Sequence, residues 1–222
     1  MPHHSLTSPR RYPQPQFEAG ALPAPLDRSE LHLDPFVQFD QWMQSALQTH
    51  IPNATAMSLA TVDAQGRPHS RVVQLSAMQS QGFEFFTHYE SDKAIHLQNC
   101  HHAALHFYWP QNHRQIRIEG MVEKLPAADS DATFEQLQRD HQLAALVSQQ
   151  SQPLPGRRTL EQNIQIADSE HNHALKRPQH WGGYRLIPDC FEFWQGRADF
   201  MHDRFRYTPK GHQAWSVTRL SP

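Results

Sequence analysis

Three short stretches hold the groups whose types could do chemistry: "SRVVQL", "FFTHYESDK" and "FEFWQGRADFMHDRFRY". Arg71 heads the first. Thr87 stands just before a helix that Ser91 would cap, and Lys93 lies one turn into that helix. Each alone has an ordinary reading: an edge charge, a turn residue, a solvated helix lysine. Together they offer two cations, a hydroxyl and helix-terminal N–H groups, a set that suits a phosphate. Gln115 and the pair Gln150–Ser151 add neutral hydrogen-bonding groups, which suit the polar edge of a planar heterocycle. The third stretch places Trp194, His202, Arg204 and Arg206 among other aromatics. Aromatics alternating with polar residues ordinarily mark a half-buried antiparallel strand, so the stretch reads as a strand pair or as the wall of a site. His202 reads as a proton acceptor, a hydrogen-bond donor or a helper that orients Arg204. Spacing within one chain does not bring these groups together.

Composition narrows the partners. Twenty Lys and Arg against 22 Asp and Glu leave a formal charge of -2, which gives no reason to expect nucleic acid. Seventeen histidines are scattered, with no HExxH and no paired His/Cys spacing, so no metal is expected. Cys100 and Cys190 form no CxxC, and the simplest expectation is a reduced cytoplasmic chain with two unpaired thiols. No apolar run reaches the length of a membrane span, and "MPHHSLTSPRRYPQPQ" lacks the apolar centre of a signal peptide.

The elements that must position these groups are mostly strands. Residues 1–34, rich in proline, read as a flexible arm before a domain over 35–222. A helix begins at "DPFVQFDQWMQSALQTH", with Asp34 as N-cap, Pro35 at the first turn, and Phe36, Phe39, Trp42, Met43 and Leu47 on its core face. Strands are expected over 54–62, 69–78, 80–89, 102–109 and 114–125, with the turn "DAQGRP" after the first and a helix over 91–99. Helical stretches follow over 129–151 and 158–175, then two last strands over 181–196 and 204–220. Strands run as hairpins, not as βαβ units, and no GxGxxG joins a strand to a helix. The pattern predicts a closed antiparallel barrel with peripheral helices.

The ordered motifs "SRVVQL", "FFTHYESDKA", "FYW…RQIRIEG", "VSQQS", "WGGYRL", "EFWQG" and "HDRFRY" give a resemblance to the pyridoxamine 5'-phosphate oxidase family. Its members bind FMN in a split β-barrel homodimer. The likeness spans roughly residues 35–222. It implies a mainly β split barrel with peripheral helices, a C-terminal dimerisation region and FMN. By the resemblance, Arg71 and Lys93 hold the FMN phosphate, with Phe86, Thr87 and Ser91 beside them. The strand Arg71, Val72, Val73, Gln74, Leu75, Ser76 runs along the flavin. Gln115 meets the isoalloxazine edge, and Gln150, Ser151, Trp194 and Arg204 reach the FMN across the dimer interface. His202 and Arg204 are the expected catalytic pair. Arg204 or Arg114 supplies a cation near the flavin pyrimidine edge.

The departures from the family pattern concern the substrate. Positions that carry lysine, tyrosine, arginine, serine and arginine in the pyridoxal-forming enzymes are Ser76, Thr133, Leu137, His141 and Phe200 here. With His202 they make the expected substrate set. Where the family carries a further basic residue beside Lys93, this chain has Asp92. Each charge-assisted hydrogen bond to a phosphate contributes about 1.5–3 kcal/mol, so losing several weakens phosphate recognition by orders of magnitude. Ser76 resembles the family's phenazine-biosynthesis branch, and Phe200 suits stacking on a planar ring. "WQG" and "HDRF" are closer to the pyridoxal-forming branch. The leading expectation is an FMN-dependent oxidase that passes two electrons from a planar, phenazine-like substrate to O2. The alternatives are a pyridoxine/pyridoxamine 5'-phosphate oxidase with a rebuilt pocket, and a flavin- or pyridoxal-phosphate-binding protein without turnover.

Overall fold

A computed structural model describes residues 24–171, 173–211 and 214–222. Nine strands form one antiparallel sheet: β1 (Ala56–Val62), β2 (Pro68–Gln74), β3 (Ala77–Gln79), β4 (Gly82–His88), β5 (His102–Trp109), β6 (Arg114–Lys124), β7 (Trp181–Gln195), β8 (Asp203–Pro209) and β9 (Trp215–Leu220). The order is β2-β1-β5-β6-β7-β4-β3, with β8 on β7 and β9 on β8. β7 is long enough to pair with β6, β4 and β8 along its length. Among the described residues there are also five α-helices: α1 (Pro35–Gln48), α2 (Asp92–Asn99), α3 (Ala127–Gln136), α4 (Arg139–Val147) and α5 (Arg157–Glu170).

Alternation of aromatics explains the barrel. Phe83, Phe85, Phe107, Ile116, Ile118, Phe191, Phe193, Phe205 and Tyr207 point inward and are fully buried. α1 seals this core. Asp34 caps it by accepting from Phe36 N at 2.9 Å, and Phe39 meets Phe83 and Phe107 edge-on. A smaller core of Phe134, Leu143, Ala145, Ala167, Leu175 and Trp181 lies under α3–α5. Two glycines are required by geometry. Gly66, at φ +78°, turns β1 into β2. Gly120 sits at the β6 bulge, where a Cβ would lie 2.0 Å from Ile187 O.

Several expectations need correction. The expected strand over 69–78 breaks into β2 and β3, because Ser76 N turns to Glu84 O at 2.8 Å. The expected helix over 129–151 breaks at Leu137 and Gln138, both extended (ψ 145° and 149°), so that α3 and α4 pack separately. No Gly or Pro marks that break. The last expected strand is the hairpin β8–β9. Leu47 is 46% exposed, and Ala46 takes its place on the buried face of α1. The expected arm lies outside the described residues as far as residue 23. Its remainder is packed: Leu26 and Leu31 are buried, Leu26 N donates to Asp203 Oδ2, and Tyr207 OH donates to His32 O.

Candidate functional site

A cleft of about 610 Å³ lies between β2, β4 and the start of α2 on one side and α4–α5 on the other. Lys93 sits at its polar end, 8% exposed. Its Nζ donates to Thr87 Oγ1 at 3.1 Å, Ser91 Oγ at 3.2 Å and Gln150 Oε1 at 2.5 Å. The hydroxyl protons point elsewhere: Ser91 Oγ donates to His88 O and Thr87 Oγ1 to Gln150 Oε1. Lys93 is therefore solvated by three neutral oxygens and not by a carboxylate. Burial, then the neighbouring Arg71 charge, pushes its pKa down to about 8, against a smaller opposing pull from Asp92.

Arg71 is anchored through Nη1, which donates to Leu59 O at 3.0 Å, Thr61 Oγ1 at 2.7 Å and His69 O at 3.4 Å. Burial lowers its pKa as well, and the carboxylate that opposes this is again Asp92. That anchor engages neither Nε nor Nη2, the edge with which guanidinium forks onto phosphate. A buried lysine and a half-buried arginine held by neutral groups have their desolvation offset when an anion joins them. A dianionic phosphate is such an anion, so the residues fit a phosphate-bearing cofactor.

The opposite wall is apolar. Leu137, Ala144, Ala145, Leu160 and Ile164 line it, with His141, and Phe86 stacks on Trp181 at 5.2 Å and 17°. Sequence reasoning placed Arg71, Val72, Val73, Gln74, Phe86, Thr87, Lys93, Gln150, Leu137 and His141 in a site, and all ten line this one cleft. It missed His88, Ala144, Ala145, Ser148, Leu160, Ile164 and Trp181. Leu160 and Ile164 are four apart on α5, a spacing that marked one helical face without saying what the face met.

Other expected residues lie elsewhere. Leu75, Ser76 and Thr133 do not line the cleft. Leu75 N bonds Thr55 O, and Thr133 Oγ1 bonds Asp129 O within α3. Gln150 and Ser151, expected to reach the flavin across the dimer interface, also lie beside the cleft of their own chain: Gln150 bonds Lys93, and Ser151 Oγ accepts from Asp92 N. The two-residue link from α4 to these positions brings them back beside α2.

The rest of the set forms a row on the outer sheet face. Register pairs Tyr108 with Gln115, Gln115 with Trp194 and Trp194 with Arg204, so the four share one face. Arg204 Nε and Nη2 both donate to Glu192 Oε1, at 3.0 and 2.8 Å, and Nη1 donates to Ser221 O. Glu192 is 4% exposed and also takes Arg117 Nη2 at 3.1 Å. His202 lies 4.7 Å from the Trp194 ring and 5.8 Å from Phe200, which is at φ +60°. Its Nδ1 accepts from Arg197 N, so the neutral ring carries its proton on Nε2. None of this row lines the cleft of its own chain. Arg114 belongs to neither region: it stacks on Trp42 and donates to Gln195 Oε1.

Comparison with known proteins agrees with this geometry. Residues 43–168 match the family described as "Pyridoxamine 5'-phosphate oxidase", and residues 181–222 match "Pyridoxine 5'-phosphate oxidase C-terminal dimerisation region". "Pyridoxine/pyridoxamine 5'-phosphate oxidase 1" of Hydrogenovibrio crunogenus is 51% identical over 201 residues, covering 90% of this chain and 93% of the relative. The Paraburkholderia phymatum "Pyridoxine/pyridoxamine 5'-phosphate oxidase" is 44% identical over 197 residues, covering 89% and 93%. Among solved structures, PhzG from Burkholderia lata 383 in complex with tetrahydrophenazine-1-carboxylic acid superposes with a TM-score of 0.85 at 28% identity, covering 91% of this chain and all of that one. A split barrel with this topology, these matches and this cation pair has one assignment: the chain belongs to the pyridoxamine 5'-phosphate oxidase family.

Proposed function

We propose that the protein is an FMN-dependent oxidase whose substrate is a planar, largely apolar ring system without a phosphate, acting as a homodimer. The observation that carries this reading is the asymmetry of the cleft. Its lining cations, Arg71 and Lys93, gather at one end, while Leu137 of the α3–α4 break and Ala144, Leu160 and Ile164 of α4 and α5 line the other. One phosphate has a seat there, and a second does not. The seat suits FMN. Gln150 Oε1, accepting from both Lys93 and Thr87, stands where a phosphate oxygen would take the same two donors. FMN supplies two-electron redox chemistry, accepting a formal hydride from substrate and passing electrons to O2.

The chain's own residues bind and orient. Arg71, Lys93 and Thr87 hold the phosphate. Phe86 and Trp181 offer a flat surface beside it. Leu137, Leu160 and Ile164 exclude water from the substrate ring. Gln115, Trp194 and Arg204 of the second subunit close the flavin from the sheet face, and this subunit's row does the same for its partner. His202, with its proton on Nε2, is the group that exchanges a hydrogen bond or proton with substrate; Phe200 beside it stacks on the ring.

The 51% identity to a relative named for pyridoxine/pyridoxamine 5'-phosphate favours a second reading, turnover of that phosphate ester through a rebuilt pocket. Steady-state peroxide release separates the two. Dihydro-aromatic acids should be oxidised, and pyridoxine 5'-phosphate should show a kcat/KM at least about a hundredfold below the 10⁴–10⁸ M⁻¹s⁻¹ range of good enzymes. Efficient release from pyridoxine 5'-phosphate would establish the second reading instead. Bound FMN with no turnover of either class would leave a binding protein.

A further inference from the structure

Behind Arg71 a chain of polar side chains leads away from the cleft. Arg71 Nη1 donates to Thr61 Oγ1 at 2.7 Å. Thr61 is 1% exposed, and its Oγ1 lies 3.1 Å from His96 Nδ1 on α2. The His96 ring is 4.5 Å from that of His69 on β2, tilted by 41°. His69 Nε2 lies 3.0 Å from Asp63 Oδ2. Asp63 in turn accepts from Arg67 Nε and from the backbone N–H of Gln65 and Arg67.

Donor chemistry fixes the cleft end of this chain. Guanidinium only donates, so Thr61 Oγ1 must accept from Arg71. With His96 neutral and its own proton on Nε2, the single hydroxyl proton goes to His96 Nδ1, 3.1 Å away. The surroundings favour the neutral ring: burial first, then the His69 and Arg71 charges, push the His96 pKa down. At the far end His69 donates to Asp63, and that bond is the main reason the Asp63 carboxyl is held well below the usual carboxylate range. Neither Thr61 nor His96 lines the cleft, so both act through Arg71.

We propose that Thr61 and His96 are positioning residues for Arg71, fixing Nη1 from behind so that the guanidinium presents its other edge to the cofactor phosphate. The proposal rests on the FMN reading above. The physical reason is pre-organisation. An arginine already held in one rotamer loses less entropy when phosphate binds. His96 matters because it takes the Thr61 proton, which keeps the hydroxyl lone pairs turned toward Arg71.

The test compares FMN with riboflavin, which shares the ring system and lacks the phosphate. Dissociation constants for both are measured by flavin fluorescence on Thr61→Val, Thr61→Ser, His96→Ala, His96→Asn and Arg71→Ala. Thr61→Val keeps the shape and loses the hydroxyl. It should weaken FMN about tenfold, the worth of one charge-assisted hydrogen bond, and leave riboflavin unchanged. Thr61→Ser should stay near wild type. His96→Ala should weaken FMN about threefold, and His96→Asn, which returns an acceptor near the Nδ1 position, should recover it. Equal losses for FMN and riboflavin would mean a merely structural role and overturn the proposal. So would an unchanged FMN affinity in Thr61→Val alongside a large loss in Arg71→Ala. Unchanged FMN affinity in Arg71→Ala itself would overturn the phosphate seat as well.

Discussion

In the cleft, Arg71 and Lys93 are held by neutral oxygens: two threonines, a serine, a glutamine and backbone carbonyls. On the outer sheet face, Arg204 is held by the buried carboxylate of Glu192. The two regions use the same kind of side chain to opposite ends. A cation solvated by neutral dipoles keeps its charge for a ligand and carries an unpaid desolvation cost until one arrives. A cation paired to a buried carboxylate has its charge offset already and is fixed in direction. On the proposed reading the cleft serves affinity and the sheet row serves geometry.

The largest expected effect follows directly. Arg71→Ala or Lys93→Ala should weaken FMN by about 2–4 kcal/mol, because a desolvated charge pair loses one partner. Flavin titration checks this, and equal losses from Arg71→Ala and Arg204→Ala would erase the contrast between the regions. Next in size is a gain. Leu137→Arg puts a cation on the apolar wall, and should raise kcat/KM for pyridoxine 5'-phosphate by about ten- to a hundredfold in peroxide assays, since binding to a remote group lowers the barrier.

The Lys93 pKa sharpens the comparison further. In the folded, FMN-free chain this group loses its proton near pH 8, against 10.5 ordinarily. Between those values the unfolded chain binds more protons, so stability of the FMN-free protein rises with pH across that window. FMN affinity moves the other way, because phosphate loses a cation. Titrations should show affinity falling by up to about tenfold per pH unit above 8. The smallest effect belongs to the row: Trp194→Ala should cost about 0.5–1.5 kcal/mol of flavin affinity, the worth of an aromatic contact.

Legibility in the sequence followed the range of the interactions. The strands were legible because inward aromatics alternate over whole elements, as in "FEFWQ", and the α1 start because Asp34 and Pro35 act locally. The break between α3 and α4 was not, since Leu137 and Gln138 leave helical conformation with no local breaker. The cluster around Lys93 was half legible. Thr87, Ser91 and Lys93 lie within one turn and a loop, whereas Gln150 joins them across 57 residues of chain. Its placement beside Lys93 of the same chain depends on how α4 folds back, which no spacing records. Leu160 and Ile164 were legible as an apolar pair and not as a wall, because what a helix faces is settled by its neighbours.

The central claim is that one flavin site takes its cation seat from one subunit and its Trp194–Arg204 row from the other. Mixed dimers test it most directly. One chain carries Arg71→Ala, the other carries Trp194→Ala with Arg204→Ala, and FMN is set at a concentration that saturates wild type and neither variant alone. If the halves come from different chains, each mixed dimer contains one fully intact site and one doubly defective site. The account predicts that mixing restores one high-affinity FMN per dimer. If both halves came from the same chain, every site in the mixture would keep one defect, and no recovery of FMN binding would contradict the account.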